Sequence, residues 1–191
     1  MQKIYICRHG ETAWNITKQH TSYTDIALTD TGIKQAASLK NRLKNKKFSA
    51  VLTSPYERAK KTCELAGFEG IIENDLVEWN YGDYEGMTTK QIQIEIPDWS
   101  VFKYGCKGGE SIDDVTKRGY NIVKKLSEIK GDVLIFTHGH FSRVLIACWL
   151  KLTAKEGRYF ASSNASLSIL GYEHSEPILK LLNDTSHLKT S

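Results

Sequence analysis

The 191-residue sequence has little of what marks several classes of protein. It holds only 3 prolines, and its 40% hydrophobic and 25% charged residues are close to globular averages, so disorder and fibrous architectures fit poorly. No apolar run approaches the roughly 20 residues that span a bilayer. The longest, Val144 to Leu150, is better read as part of a buried helix. We therefore expect a compact soluble protein with no membrane partner.

The four cysteines lie in separate segments and form no CxxC pair. This spacing predicts neither a zinc knuckle nor a redox pair, and free, mostly buried thiols are expected. The apolar run that begins at Ile4 ends before Arg8, which is too short for the core of a signal peptide. We expect a cytoplasmic protein.

The net charge of +4 is small but unevenly spread. Residues 34–61 contain nine Lys or Arg and one acid, whereas residues 68–85 contain six Asp or Glu and no Lys or Arg. A basic stretch of this kind can contact nucleic acid, but the solvated face of a helix is the commoner interpretation. Nucleic acid is therefore not the expected partner.

Short apolar runs alternate with amphipathic segments along the chain. Predicted strands are 4–7, 50–53, 71–73, 133–136, 167–172 and 178–182. Predicted helices are 30–45 with Thr29 as cap, one that starts at Ser54-Pro55, 88–94, 111–129 with Ser111 as cap, and 141–150. This order predicts an α/β fold, a three-layer sandwich with a mostly parallel central sheet. We expect one domain over residues 1–191, with a short lid insertion at about 74–110.

Two histidine clusters each follow a predicted strand directly: Arg8-His9, and His138-Gly139-His140. Ligands of such sheets bind beyond the carboxyl ends of the strands. If Arg58 and Glu78 joined them, two guanidiniums and an imidazolium could neutralise a phosphate dianion. A second, neutral imidazole could attack phosphorus, and the carboxyl could donate a proton. This set needs no metal to transfer a phosphoryl group.

Each of these residues also has a simpler interpretation. An Arg-His pair at a strand end is more often structural, and Arg58 on a basic helix is more often a surface charge. The spacing of His138 and His140 also occurs in zinc sites, although no Cys or acidic cluster stands beside them. From the residues alone, an anion site is predicted and the function stays open.

The segment from Tyr5 to Asn15, with Arg8-His9-Gly10 inside it, resembles the signature of the histidine phosphatase superfamily. That family contains cofactor-dependent phosphoglycerate mutases and many small phosphatases, and the likeness implies a phosphoglycerate mutase-like fold. Residues 28–36, 53–62, 78–86 and 137–140 carry further similarities, so the likeness covers nearly the whole chain. Residues 78–86, 105–111 and 138–143 resemble most closely the branch of broad-specificity acid phosphatases and sedoheptulose-1,7-bisphosphatase-like enzymes.

The resemblance implies a role for each matching residue. His9 is the residue that becomes phosphorylated, and Glu78 is the proton donor. The phosphoryl group is held by Arg8, Arg58 and His138. The substrate-binding positions it implies are Asn15, Thr21, Ser22, Tyr81 and the backbone N–H of Gly139. Ser22 stands where the family usually has glycine, which puts the shape of that loop in question.

The core motif does not separate a mutase from a phosphatase. Mutases of this family are longer and carry an insertion with two adjacent arginines, whereas residues 86–109 hold three lysines and no arginine. Hydrolysis is therefore favoured: a metal-independent phosphomonoester hydrolase of the broad-specificity acid phosphatase type, without a cofactor, acting on a small phosphorylated metabolite such as a sugar phosphate. The alternatives are a phosphoglycerate mutase that needs a bisphosphate primer, a metal-dependent hydrolase, and a phospho-ligand binding module without turnover.

The sequence leaves two points open. The aromatic residues of the predicted insertion fit either a hydrophobic lid or a packed wall. The sequence is compatible with a monomer or a homodimer.

Overall fold

The computed structural model describes residues 2–188. One six-stranded sheet forms its centre, with strand order β3-β2-β4-β1-β5-β6. The strands are β1 (Ile4–Arg8), β2 (Ala50–Thr53), β3 (Ile71–Ile72), β4 (Val133–Thr137), β5 (Leu167–Glu173) and β6 (Glu176–Asp184). The helices are α1 (Ala13–Thr17), α2 (Asp30–Leu43), α3 (Glu57–Leu65), α4 (Thr89–Glu95), α5 (Val101–Tyr104), α6 (Ile112–Glu128) and α7 (Gly139–Trp149).

The predicted mostly parallel α/β sheet is confirmed, with an antiparallel edge. Strands β1, β2, β3 and β4 pair in parallel, whereas β5 pairs antiparallel with both β1 and β6. The β5–β6 turn holds two residues with positive φ, His174 and Ser175, as a tight hairpin requires.

Alternate residues of the two central strands point to opposite faces of the sheet, which gives the three layers. On one face Ile4, Ile6, Val133 and Ile135 join a core with α6 and α7. On the other, Tyr5, Cys7, Leu134 and Phe136 join a core with α2 and α3. Both strands are therefore almost wholly apolar until they reach the edge of the sheet, where polar residues begin.

Helix starts were predicted with mixed success. Thr29 caps α2 by accepting from the N–H of Gly32 at 3.0 Å, and Ser111 caps α6 by accepting from Asp114 at 3.1 Å, so both predicted caps are confirmed. The start at Ser54-Pro55 was wrong. Helix α3 begins at Glu57, because Tyr56 takes the cap position with extended backbone. Helix α1 was missed, since five residues are too few to show a helical period.

Residues 74–110 fold as two 3₁₀ turns and the short helices α4 and α5. Of the two arrangements left open for the aromatic residues of this segment, the structure shows the packed wall. Its large rings lie buried in the core that also holds α6 and α7: Trp79, Tyr81, Tyr84, Trp99 and Phe102. Tyr104 is exposed.

All four cysteines are free and buried, as predicted. Burial raises the pKa of Cys63, Cys106 and Cys148 to about 12, so these thiols are not nucleophilic near neutral pH. Within residues 2–188, none of the helices has the length and apolar character needed to cross a membrane.

Candidate active site

Strands β1 and β4 bring the two histidine clusters side by side. Arg8 pairs with Thr137 in the parallel register, and the N–H of His9 donates to the carbonyl of Thr137 at 3.0 Å. The chain leaves both strands at the same edge, so His9 and His138 follow as neighbours, with ring centroids 5.3 Å apart. The adjacency predicted from two strand ends is thus present.

A cavity of 120 Å³ opens at this edge. Its lining is mostly polar and carries the guanidinium groups of Arg8 and Arg143, which suits a phosphoryl group. The lining residues are Arg8, His9, Asn15, Gln19, His20, Thr21, Glu78, Tyr81, Gly139, His140, Arg143 and Ser162. Seven of the ten predicted site residues are among them; Ser22, Arg58 and His138 are not.

His9 is buried, and its tautomer follows from one contact. Nδ1 lies 2.7 Å from the carbonyl oxygen of Gly10, which can only accept, so Nδ1 carries the proton and Nε2 holds the lone pair. Burial, and then the charges of Arg8 and Arg58, hold the pKa of His9 well below its ordinary value. The ring is therefore a neutral imidazole with a free nucleophilic nitrogen.

Arg8 presents an unused donor beside His9. Its Nη1 donates to the carbonyl of Ser162 at 2.5 Å, but its buried Nε finds no hydrogen-bond partner in residues 2–188. Unpaired buried donors are rare in native proteins, so this one suits an anion that binds there. A Cβ on Gly139 would stand 3.1 Å from Cζ of Arg8, so glycine lets the guanidinium lie close against the start of α7.

Glu78 is 6% exposed and sits at the N-terminus of α7. Its Oε1 accepts from the N–H of Trp79 at 2.9 Å and of Phe141 at 2.8 Å, and its Oε2 accepts from the N–H of His140 at 3.0 Å. These three N–H groups fix the orientation of the carboxyl group at the start of α7. Because Oε1 already has two donors and Oε2 one, Oε2 keeps a free position for a proton.

Arg58 and His138 stand behind the cavity and bind each other. Arg58 Nε donates to His138 Nδ1 at 3.1 Å, and its terminal nitrogens donate to the carbonyls of Thr24 at 3.0 Å and Ser22 at 2.9 Å. Because His138 Nδ1 accepts, its proton is on Nε2, which lies 2.7 Å from Ser54 Oγ. Both side chains are fully buried and have protein partners at these nitrogens.

The imidazolium expected from the sequence is absent from this arrangement. Burial lowers the pKa of His138 well below its ordinary value, and the charge of Arg58 and the ring of His9 lower it further. The site therefore holds two neutral imidazoles. Its positive charge comes from guanidinium groups.

The predicted substrate-binding residues divide into two groups. Asn15 and Thr21 line the cavity, and Asn15 Oδ1 is fixed by the N–H of Thr12 at 3.0 Å and Asn164 Nδ2 at 2.8 Å. Ser22 faces away: its N–H and its hydroxyl both bind the Glu85 carboxylate, at 2.9 and 2.5 Å. Ser22 is therefore occupied within the protein.

Sequence reasoning missed five lining residues: Gln19, His20, His140, Arg143 and Ser162. His140 and Arg143 lie within the 138–143 segment that carried the family resemblance, which was an available signal. Tyr81, expected on the substrate side, binds His140 Nδ1 through its hydroxyl at 2.5 Å. Burial lowers the pKa of His20 to about 4 and that of His140 well below its ordinary value, so neither adds charge near neutral pH.

Over the described part of the chain, His, Cys, Asp and Glu side chains nowhere gather in a group of three or more able to hold a metal ion.

Comparison with known proteins shows the family of this chain. The profile of the histidine phosphatase superfamily (branch 1) matches residues 4–185. An acid phosphatase of Mycobacterium tuberculosis is 40% identical over 190 residues, covering 97% of this chain and 94% of the relative. Sedoheptulose 1,7-bisphosphatase of Saccharomyces cerevisiae is 30% identical over 185 residues, covering 78% of this chain and 68% of the relative.

A solved structure of a Mycobacterium tuberculosis open reading frame product has a TM-score of 0.92 and 40% identity, covering 95% of this chain and 97% of the other. The family match over residues 4–185 thus runs from β1, which leads to His9, to the end of β6. The chain belongs to the histidine phosphatase superfamily, branch 1, and is an enzyme of the phosphatase class.

Proposed function

We propose that this chain is a metal-independent phosphomonoester hydrolase that works through a phosphohistidine on His9, with Glu78 as general acid and then general base. One observation carries the proposal. The bond from His9 Nδ1 to the Gly10 carbonyl leaves Nε2 unprotonated in a ring that lines the cavity together with Arg8. Such a nitrogen can attack phosphorus without a separate base.

In the first step, His9 Nε2 attacks phosphorus and forms the N–P bond, while the bond from phosphorus to the leaving oxygen breaks. Glu78 gives its proton to that oxygen and becomes a carboxylate. The unpaired Nε of Arg8 and the N–H of Gly139 at the start of α7 stabilise the charge on the equatorial oxygens. The rear pair of Arg58 and His138 keeps the His9 ring in place.

In the second step, Glu78 takes a proton from water, and the resulting hydroxide attacks phosphorus. The N–P bond breaks, its electron pair returns to His9 Nε2, and phosphate leaves. Glu78 is then protonated again for the next cycle. The three N–H groups around its carboxylate support the charged form between the two steps.

The cavity supports a small phosphorylated metabolite, such as a sugar phosphate, as the substrate class. The lining is mostly polar and includes Gln19, His20 and Arg143 beside the residues proposed to bind the phosphoryl group, which suits a polar leaving group. The acid phosphatase and sugar bisphosphatase among the relatives support the same class.

Trapping the intermediate tests the proposal. A ³²P-labelled phosphoester quenched during turnover is expected to leave an acid-labile, base-stable adduct on His9. His9→Ala should lose the adduct and about 10⁴-fold or more in kcat/KM. The control is His174→Asn in the β5–β6 turn, which should keep both. An adduct on another residue, or retained turnover in His9→Ala, would overturn the proposal.

Two additions separate the remaining reaction types. EDTA should leave the rate unchanged, and a loss of activity restored by a divalent cation would indicate a metal-dependent hydrolase. Phosphate release should need no 2,3-bisphosphoglycerate. Activity that appears only with this primer would identify a mutase.

A leaving-group comparison tests Glu78. Glu78→Gln should lower kcat/KM for β-glycerophosphate about 10²-fold, because an alkoxide leaves poorly without a proton. p-Nitrophenyl phosphate, whose leaving group is already stable as an anion, should lose less than about 5-fold. Equal losses on both substrates would exclude Glu78 as the acid.

A further inference from the structure

Arg118 is buried next to the acid-bearing segment but does not line the cavity. It lies on α6, and its Nε and Nη2 form a two-pronged pair with the Glu110 carboxylate, each bond 2.7 Å long. The two side chains are 12% and 19% exposed. Because Glu110 neutralises its charge, Arg118 has a structural partner of its own and is not an additional anion receptor.

The remaining donors of Arg118 hold the backbone around Glu78. Nη1 donates to the carbonyls of Asp75 at 2.9 Å and Val77 at 2.8 Å, and Nη2 donates to the carbonyl of Glu78 itself at 3.2 Å. This segment has only a 3₁₀ turn, Asn74–Leu76, as secondary structure. The Arg118 side chain thus binds three backbone carbonyls that lie outside any strand or α-helix.

Glu110 holds the other side of Glu78. Its Oε2 accepts from the N–H of Asn80 at 2.9 Å, and its backbone N–H donates to the carbonyl of Asn80 at 2.9 Å. Its carbonyl accepts from the indole N–H of Trp79 at 2.9 Å. Together, Arg118 and Glu110 form hydrogen bonds with the residues before Glu78, with Glu78 itself and with the residues after it.

The same arginine also contacts the residue that binds the acid. Its guanidinium carbon lies 4.1 Å from the ring centroid of Phe141, whose N–H donates to Glu78 Oε1. Arg118 therefore links the acid-bearing segment to the start of α7, where the Glu78 carboxylate is held.

We propose that the Arg118–Glu110 pair is a positioning device that sets the Glu78 carboxyl at the distance from the leaving oxygen that proton transfer requires. This rests on the acid role proposed for Glu78. A displacement of about 1 Å of a reacting group can cost about 10²-fold in rate. Loosening the pair should therefore slow the phosphorylation of His9 by substrates whose leaving group needs a proton, and spare its phosphorylation by substrates whose leaving group does not.

The test uses four full-length enzymes: wild type, Arg118→Met, Glu78→Gln and the double variant. Arg118→Met should lower kcat/KM, which reports the phosphorylation step, about 10- to 100-fold for β-glycerophosphate and less than about 3-fold for p-nitrophenyl phosphate. In the Glu78→Gln background the same substitution should add less than about 2-fold on β-glycerophosphate, because the acid is already gone.

Two further variants separate positioning from stability. Arg42→Met breaks the Arg42–Asp184 ion pair, in which Nε and Oδ2 are 2.9 Å apart. Neither residue lines the cavity, so this substitution should lower kcat/KM for the two substrates equally or not at all. Arg118→Lys keeps the charge and part of the bonding, so it should recover part of the loss on β-glycerophosphate. It also serves if Arg118→Met does not fold.

Equal losses on both substrates in the Arg118 variants, or a full additional loss in Glu78→Gln, would overturn the positioning role. If Glu78→Gln itself does not discriminate between the substrates, the acid role fails and the positioning role fails with it. If Glu78→Gln discriminates and the Arg118 variants do not, the positioning role alone fails.

Discussion

The site consists of two layers, each with an arginine and a histidine. The layers differ in whether their hydrogen-bonding groups already have partners within the protein. The front layer, Arg8, His9 and Glu78, lines the cavity and keeps unused capacity: a free Nε on Arg8, a lone pair on His9 and an open position on Glu78 Oε2. In the rear layer, Ser54, Arg58 and His138 form hydrogen bonds with one another and with loop carbonyls.

The two arginines show what this difference means. Arg8 is partly buried and Arg58 is fully buried, and burial lowers the pKa of each, yet a guanidinium stays charged in proteins. Arg58 satisfies its charge with protein acceptors, whereas Arg8 retains a buried donor without one. We therefore expect the front layer to bind the anion and the rear layer to support it.

Of the substitutions that compare the two layers, Arg8→Lys is expected to lower activity most. Arg8→Lys keeps the charge but loses the planar fork, so kcat/KM should fall about 10²- to 10³-fold with stability nearly unchanged. The control is Arg158→Lys, whose side chain binds only the exposed Tyr159 hydroxyl. Steady-state kinetics and urea unfolding measure the two properties. A variant that loses stability and keeps activity would place Arg8 in the rear layer.

A smaller effect, of the opposite kind, is expected at Arg58. Arg58→Met leaves the carbonyls of Ser22 and Thr24 and the Nδ1 of His138 without their donor, which should lower the free energy of unfolding by about 3 kcal/mol. The measurement is urea unfolding at neutral pH. If activity falls while the unfolding midpoint does not move, Arg58 acts on the substrate and the distinction between the layers breaks down.

The layers should respond alike to pH, since each buries a neutral imidazole. The folded-state pKa values of His9 and His138 are below the unfolded value near 6.5, so both states are neutral above that pH. Below it the unfolded chain takes up protons first, and stability falls. Each histidine should contribute a loss of about 1 kcal/mol between pH 6.5 and 5.5.

Unfolding in urea across that range checks this pH dependence. His9→Gln and His138→Gln should each flatten the loss, whereas His174→Asn, in the hairpin turn, should not. An unchanged slope in His138→Gln would mean that His138 is charged in the folded protein.

The smallest effect is expected at Gly139. Gly139→Ala places a Cβ 3.1 Å from Arg8 Cζ, so the guanidinium must shift by a few tenths of an ångström. KM should rise about 3- to 10-fold with stability unchanged, because alanine is favourable in a helix. In the Arg8→Lys background the loss should be smaller, because both changes act through the same side chain. Full additivity would contradict the contact.

Much of the fold was predictable because the signals are local. The apolar runs of β1 and β4, and the caps at Thr29 and Ser111, depend on neighbouring residues and were read correctly. Helix α1 and the start of α3 were not, since a five-residue helix shows no period and Pro55 did not mark the first turn. The five missed lining residues come from three separate parts of the chain that only folding brings together.

The sequence by itself determined which residues reach the edge of the sheet. Two apolar strands end at Arg8-His9 and at His138, and parallel pairing makes their ends meet, because side-chain alternation and burial leave no other register for them. That is why the position of the anion site was readable from the chain, whereas the family was read from the resemblance carried by residues 5–15.

Only the tertiary structure decided how those residues divide their work. The tautomer of His9 depends on the Gly10 carbonyl, the neutrality of His138 on Arg58, and the place of Glu78 on α7 and, as we propose, on Arg118. Hydrogen bonds between residues 40 to 80 positions apart set these states in the case of His138 and Glu78. Pattern and spacing carry no information on which donor a buried acceptor will meet.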